Sequence, residues 1–344
     1  MGALMRNGRR IGSAQVFGRV RLVVAAALAA VTMSSAAKAQ APIDELLSGV
    51  VQIKTFINPD ARSVQNLGRQ RSGSGIVIDN DGLVLTIGYL MLEAHAAEVV
   101  TNDGRTLPAA VLGYDHETGF GLLKATTPLK VKPFVFGKSG DLKERDPVLA
   151  ASFGGRTGLA PAYVVSRREF AGSWEYLVDG AIFTAPAHSH WSGAALISRD
   201  GKLVGVGSLI LADVSGAGAG LPGNMYVPTD LLQPILADLI ADKRGAGPAR
   251  PWLGVNTEEI AGRLFVSRVT PDSPAEKAGL KRGDIVVGVD GEPVKTLADL
   301  YRKVWAKGSA GVTIPVDVVQ GDEKRRVDIK SMNRLDHLKL KSTY

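Results

Sequence analysis

The chain has 344 residues, a length that favours about two domains. Its 45% hydrophobic and 22% charged residues are ordinary for a globular protein, and 40 glycines with only 6% aromatic residues favour strands and turns over a helical bundle. It contains no cysteine, which excludes disulfides and thiolate chemistry but leaves the compartment open.

The N-terminus reads as a secretory signal peptide over residues 1–39. Arg6, Arg9, Arg10, Arg19 and Arg21 flank the apolar run Leu22–Met33, and Ala37-Lys38-Ala39 has the form of an A-x-A cleavage site. The apolar run is 12 residues, short of the roughly 20 that a membrane-spanning helix needs. Those 39 residues hold five arginines, one lysine and no acid, so their removal takes the net charge from +7 to +1. The full-length basicity is therefore no argument for nucleic-acid binding.

In chain order, residues 40–50 predict a short helix leading into a strand over Val50–Phe56. Asn58–Arg71 is polar and reads as a mobile loop. Gly73–Thr86 predicts a hairpin around Asn80-Asp81-Gly82, and Ala96–Leu112 a second around Asn102-Asp103-Gly104. Gly121–Lys124, Pro147–Phe153, Ala162–Arg168 and Trp174–Asp179 continue as short strands. The apolar run Ala181–Thr184 leads to Ser192, and Ile197–Val206 predicts a further hairpin. Strands of this kind, spaced by turn residues, predict an antiparallel barrel or sandwich. Thr229–Lys243 has helical spacing, and residues 244–251 have linker composition. A second unit follows at 252–333, with a short helix at Pro274–Leu280, a hairpin around Asp290-Gly291, an amphipathic helix at Leu297–Lys307 and a closing pair of strands. Residues 334–344 form a tail. No metal-ligand spacing, Walker loop or dinucleotide fingerprint is present, so no metal or cofactor is expected.

Two groups of motifs carry a resemblance. In the second unit, Ser273-Pro274-Ala275, Ala278-Gly279-Leu280, Gly283-Asp284-Ile285 and Val289-Asp290-Gly291 occur in the order and spacing of PDZ domains. In the first, Gly73-Ser74-Gly75 with Gly82–Thr86, and Ser192-Gly193 with Leu196, Asp200-Gly201 and Val204-Gly205, match the strand pair and serine region of a trypsin-like protease. Taken together the chain resembles the HtrA (Deg) family. The resemblance implies a mostly β fold, a trypsin-like double β-barrel over 40–243 followed by a PDZ domain over 252–333.

It also implies where a catalytic triad would stand. Ser192 falls at the nucleophile position, Tyr89 at the histidine position (Thr86-Ile87-Gly88-Tyr89) and Gly119 at the aspartate position. A serine hydroxyl needs a base, and the base an orienting acid. Tyrosine, with a pKa of about 10, is a poor acceptor at neutral pH, and glycine has no side chain. The oxyanion turn is altered as well: His190 replaces a glycine, Trp191 sits beside the serine, and Gly193 follows it. Of the five histidines, His95 is expected on a helical turn pointing elsewhere. His188 and His190 are too close in sequence to reach Ser192, His116 with Glu117 lies near the lost acid, and His337 lies in the tail. With nothing evident to activate it, Ser192 reads as a turn serine held by local hydrogen bonding rather than as a nucleophile.

The PDZ side keeps its chemistry. Trp252-Leu253-Gly254-Val255 resembles the loop that captures a C-terminal carboxylate, and Leu300 and Val304 of the following helix would form the apolar wall of a groove; the plainer reading is that Trp252, Leu300 and Trp305 are only core. The expectation is an exported protease homologue that has lost hydrolysis and binds unfolded polypeptides or protein C-termini, as a chaperone or as a regulator of an active HtrA-type protease. The family resemblance implies a homo-oligomer, a trimer. The alternatives are a weak serine endopeptidase with a rearranged base, and a structural envelope protein whose groove takes no peptide.

Overall fold

A computed structural model describes residues 43–242 and 248–340. The signal peptide read over 1–39, its cleavage near Ala39, residues 244–247 of the linker and the last four residues of the tail lie outside the described residues. The described chain is mostly β: two closed six-stranded barrels followed by a PDZ unit.

The first barrel comprises β1 (Val50–Ile57), β2 (Gln70–Val77), β3 (Leu83–Ile87), β4 (Ala94–Val100), β5 (Thr106–Tyr114) and β6 (Phe120–Ala125), closed in the order β1-β2-β3-β6-β5-β4. Its turns form where the sequence supplies left-handed residues: Gly82 has φ +90 and the Leu83 N–H donates to Asp79 Oδ1 at 2.6 Å, fixing the β2–β3 turn. Val51, Ile53, Val84, Val99 and Leu123 fill the interior.

The second barrel comprises β7 (Pro147–Ala151), β8 (Leu159–Gly172), β9 (Tyr176–Ala185), β10 (Ala195–Ile197), β11 (Leu203–Leu211) and β12 (Gly223–Pro228), in the order β10-β11-β12-β9-β8-β7. Val148, Val164, Ile182, Leu196 and Tyr226 pack inside it. The PDZ unit carries β13 (Val255–Ile260), β14 (Arg263–Val269), β15 (Ile285–Val289), β16 (Glu292–Pro293), β17 (Thr313–Gln320) and β18 (Glu323–Lys330), ordered β13-β14-β15-β17-β18 with β16 beside β15. Its Leu297–Trp305 helix starts at Thr296, whose Oγ1 accepts the Asp299 N–H at 3.1 Å.

Four local expectations are corrected. Ala162–Arg168 and Trp174–Asp179 are not separate short strands. They belong to one long hairpin, β8–β9, whose three-residue turn is Ser173-Trp174-Glu175. Among the described residues, the Thr229–Lys243 stretch is helical only from Leu236, over Leu236–Asp242, preceded by a single 3-10 turn at Thr229–Leu231; Lys243 lies outside them. Pro234 lacks an N–H and disfavours helical geometry in the residue before it. The 58–71 stretch is not wholly loop: it carries the helical turn Val64–Leu67, Asn58, Ser63 and Arg71 are buried, and Arg71 donates to the Tyr89 carbonyl at 2.8 Å and the Leu92 carbonyl at 3.0 Å. His95 lies in strand β4, exposed, rather than on a helical turn.

Strand β6 offers a test of the barrel core. Leu123 is fully buried, while Lys124 is partly exposed and paired with Asp79 at 3.5 Å. Leu123→Ala is expected to lower the unfolding free energy by about 2–5 kcal/mol, and Lys124→Ala by less than about 1 kcal/mol. Urea unfolding of both variants checks the contrast.

Candidate functional site

Ser192 lies on the loop between β9 and β10, where three contacts hold it. Its carbonyl accepts the Ser74 N–H from β2 at 2.8 Å, the Gly193 N–H donates to Gly207 O at 2.9 Å, and the Ala194 N–H donates to Trp191 O at 3.0 Å. Gly193 has φ +72, and a Cβ there would lie 2.0 Å from the Ser74 carbonyl oxygen. Only glycine fits this turn. The loop therefore presents the Ser192 hydroxyl at the junction of the two barrels, beside a cavity of about 230 Å³ that Gln52, Ser74, Phe153, His190, Trp191 and Ser192 help to line.

Tyr89 comes from the 3-10 turn Gly88–Leu90 that follows β3. Its Oη is 2.9 Å from Ser192 Oγ and 2.9 Å from the Ser208 carbonyl oxygen. The phenol has one proton, and a carbonyl can only accept. Tyr89 therefore donates to Ser208, and Ser192 donates to the Tyr89 oxygen. Burial pushes the Tyr89 hydroxyl up to about 12, against the opposing hydrogen bonds with the Ser192 and Trp191 side chains. The serine proton thus faces a neutral phenol oxygen, which does not take it at physiological pH.

The acid position is closed as well as empty. Gly119 has φ +83, and a Cβ there would lie 3.0 Å from Tyr176 Oη. That hydroxyl donates to the Thr118 carbonyl at 2.6 Å. Burial drives the Tyr176 hydroxyl well above its ordinary range, reinforced by Tyr114, Asp115 and Tyr89 nearby. On the other side, the Gly88 N–H donates to the Gly119 carbonyl at 2.6 Å, and a Cβ on Gly88 would overlap the Tyr114 ring.

No histidine replaces the missing base. Among the described residues, none of the five hydrogen-bonds Ser192. His188 Nε2 lies 3.3 Å from Ser152 Oγ, and its backbone N–H and carbonyl are bridged by Asn224 at 2.6 and 3.1 Å. His190 is exposed and pairs with Ser189. His116 faces Glu175, Arg250, Trp252 and Arg334. Burial, reinforced by the Arg334 charge, pulls its pKa down to about 4, so it is neutral at physiological pH. His337 packs on Trp252, with ring centroids 4.8 Å apart.

The loop over residues 252–255 has its own geometry. Gly254 has φ +85, and a Cβ there would lie 2.2 Å from Ser273 Cβ, so the backbone of 253–255 is free to turn its N–H groups toward one point. Glu175 occupies that point. Its carboxylate accepts from Leu253 N at 2.9 Å, Gly254 N at 2.7 Å and Val255 N at 3.0 Å. Burial raises the pKa of Glu175, opposed by these three donors. Trp252, Leu300 and Val304 are all buried, the last two within the PDZ core. Four residues that matter here were missed from the sequence: Glu175, Tyr176, Ser208 and Asn224. A glutamate in a hairpin turn looks like surface, and a carbonyl acceptor leaves no signature.

Restoring the triad residue types is not expected to restore a triad. Gly119→Asp forces a left-handed backbone and crowds Tyr176, and should lower the unfolding free energy by about 1–3 kcal/mol. The Tyr89→His/Gly119→Asp double variant is expected to cleave casein no faster than Ser192→Ala. Thermal unfolding and a casein assay check both.

Comparison with known proteins agrees with this architecture. Residues 73–206 match the trypsin-like peptidase domain family and residues 251–331 the PDZ domain family. A probable periplasmic serine endoprotease DegP-like of Rhizobium meliloti (strain 1021) is 31% identical over 264 residues, covering 72% of this chain and 51% of the relative. A putative serine protease HhoA of Synechocystis sp. (strain ATCC 27184 / PCC 6803 / Kazusa) is 27% identical, covering 75% of this chain and 70% of the relative. The chain thus spans about half the length of the DegP-like relative. Among solved structures, the HtrA-type protease AlgW with decapeptide has the same fold, with a TM-score of 0.51 at 22% identity over 84% of this chain and 96% of that one. With a trypsin-like peptidase domain followed by a PDZ domain, and relatives named DegP-like and HhoA aligned over most of its length, the chain belongs to the HtrA/Deg family.

Proposed function

We propose that this chain is an exported HtrA/Deg homologue that does not hydrolyse peptide bonds and works by binding polypeptide. Its ligands are unfolded proteins or protein C-termini taken by the PDZ domain. The role is chaperone-like or regulatory in envelope protein quality control, including mixed assembly with an active family member. Relatives named as periplasmic endoproteases support export. The observation that carries the loss of hydrolysis is the Tyr89 hydroxyl, 2.9 Å from Ser192 Oγ and committed to the Ser208 carbonyl. A nucleophilic serine needs a group that removes its proton, and this contact supplies a hydroxyl that titrates at about 12. The closed position at Gly119 supports the same reading, because a base placed at 89 would find no acid to orient it.

The test is labelling with a fluorophosphonate probe, which reports activated serines. Wild type and Ser192→Ala are expected to label equally, at background. Labelling should stay at background from roughly pH 6 to 9, because the Ser192 hydroxyl is hydrogen-bonded to Tyr89 and to none of the five histidines. Labelling that vanishes in Ser192→Ala, or Ser192-dependent cleavage of casein, would overturn the proposal in favour of a weak endopeptidase.

A further inference from the structure

We infer that Glu175 is the PDZ domain's own ligand, a side-chain carboxylate held in cis that a C-terminal carboxylate must displace to enter the groove. The inference rests on the reading of the PDZ domain as a terminus-binding module.

Three observations carry it. The first is the carboxylate itself, which accepts the N–H groups of Leu253, Gly254 and Val255 at 2.7–3.0 Å. A peptide α-carboxylate would need those same donors. The second is the backbone beside it. The Thr257 N–H of β13 donates to the Ser173 carbonyl at 2.9 Å, the kind of main-chain bond an added peptide strand makes. Tyr301, on the Leu297–Trp305 helix across the groove, donates to Gly172 O at 2.7 Å and accepts the Glu175 N–H at 3.3 Å. Ala171 and Leu177 pack on the apolar cluster that holds Leu253, Leu300 and Val304. The hairpin end thus supplies a carboxylate, a strand-like carbonyl and an apolar side chain. The third is conformational. A three-residue hairpin loop ends in a left-handed residue, ordinarily glycine or asparagine. Here that residue is Glu175, at φ +57. The strained backbone places this one side chain in the loop.

A site occupied in cis lowers the apparent affinity for a competing ligand by the fraction of time it is open. The experiment uses the full mature chain and a fluorescein-labelled decapeptide ending in leucine, chosen because Leu177 packs beside Glu175. It is compared with the same peptide as a C-terminal amide, by fluorescence anisotropy. Glu175→Ala is expected to bind the free acid at least about tenfold more tightly than wild type, Glu175→Gln to fall between them, and the amide to bind weakly to all three. Amide hydrogen exchange accompanies the titration. Leu253, Gly254 and Val255 should lose protection in Glu175→Ala while the barrel strands keep theirs, which also reports folding. If Glu175→Ala loses barrel protection, Glu175→Gln carries both readouts.

Equal affinity of wild type and both variants for the free acid would overturn the inference and leave PDZ binding standing. Unchanged protection of Leu253–Val255 would also overturn it. Loss of that protection without binding of the peptide by any variant would uphold Glu175 as the occupant and count against the terminus-binding reading.

Discussion

The described structure turns on one buried carboxylate. Moving an ionised glutamate out of water is costly unless hydrogen bonds replace its hydration. Glu175 finds three backbone donors in the 253–255 loop. Those donors converge only because Gly254 takes a left-handed backbone that any Cβ would block. With the carboxylate seated, the end of the β8–β9 hairpin is held against the PDZ unit. Tyr301 ties Gly172 and Glu175 to the PDZ helix. Tyr176, the very next residue, then turns its hydroxyl to the Thr118 carbonyl, above Gly119. Two adjacent side chains serve two separate places, one in the PDZ loop and one against the serine site.

The serine site follows from that packing. Around Ser192 the loop keeps the geometry of a nucleophile, with Gly193 forced by the Ser74 carbonyl. Next to it is a layer of two phenols, Tyr89 at the serine hydroxyl and Tyr176 at Gly119. Tyr89 accepts a hydrogen bond from the Ser192 hydroxyl and donates one to the Ser208 carbonyl, while Tyr176 fills the space beside Gly119. Each hydroxyl has a partner, so the layer is satisfied rather than poised. These contacts support one another. Changing one residue of such a set leaves the others in place.

Much of this was legible in the sequence because it depends on local chemistry. Asn80-Asp81-Gly82 and Asn102-Asp103-Gly104 are turns that any reader of φ preferences would place, and the PDZ motifs fix strands and helices by spacing. Tyr89 and Gly119 could be singled out because they interrupt familiar runs. The contacts that complete the picture are long-range. Glu175 lies 78 residues from Leu253, and Tyr176 lies 58 from Thr118. Nothing in Ser173-Trp174-Glu175 distinguishes it from a solvated turn until the two barrels and the PDZ unit are assembled. The Thr229–Lys243 stretch differs for another reason: its apolar residues are spaced as in a helix, but Pro234 interrupts it.

A second glutamate shows why the Glu175 contact is separable from the attachment of the PDZ unit. Glu93 of the first barrel is also buried and also left-handed, at φ +60. It accepts three backbone N–H groups: Arg62 at 3.1 Å, Ser63 at 2.8 Å and Lys339 at 2.7 Å. Burial raises its pKa, but here the hydrogen bonds outweigh burial and the carboxyl titrates below its ordinary value. For Glu175 the balance falls the other way. The first barrel thus holds the chain just past the PDZ unit with one carboxylate, and the second barrel holds the PDZ loop with another. Asn58 adds a bond to the Lys339 carbonyl at 3.2 Å, and Arg62 pairs with Asp272 at 2.8 Å. Exposed pairs such as the last contribute little alone, but the buried Glu93 contact does not depend on the groove. Release of Glu175 opens the carboxylate loop while the far side of the PDZ unit stays fastened, so the groove can exchange its occupant without the domain leaving the barrels.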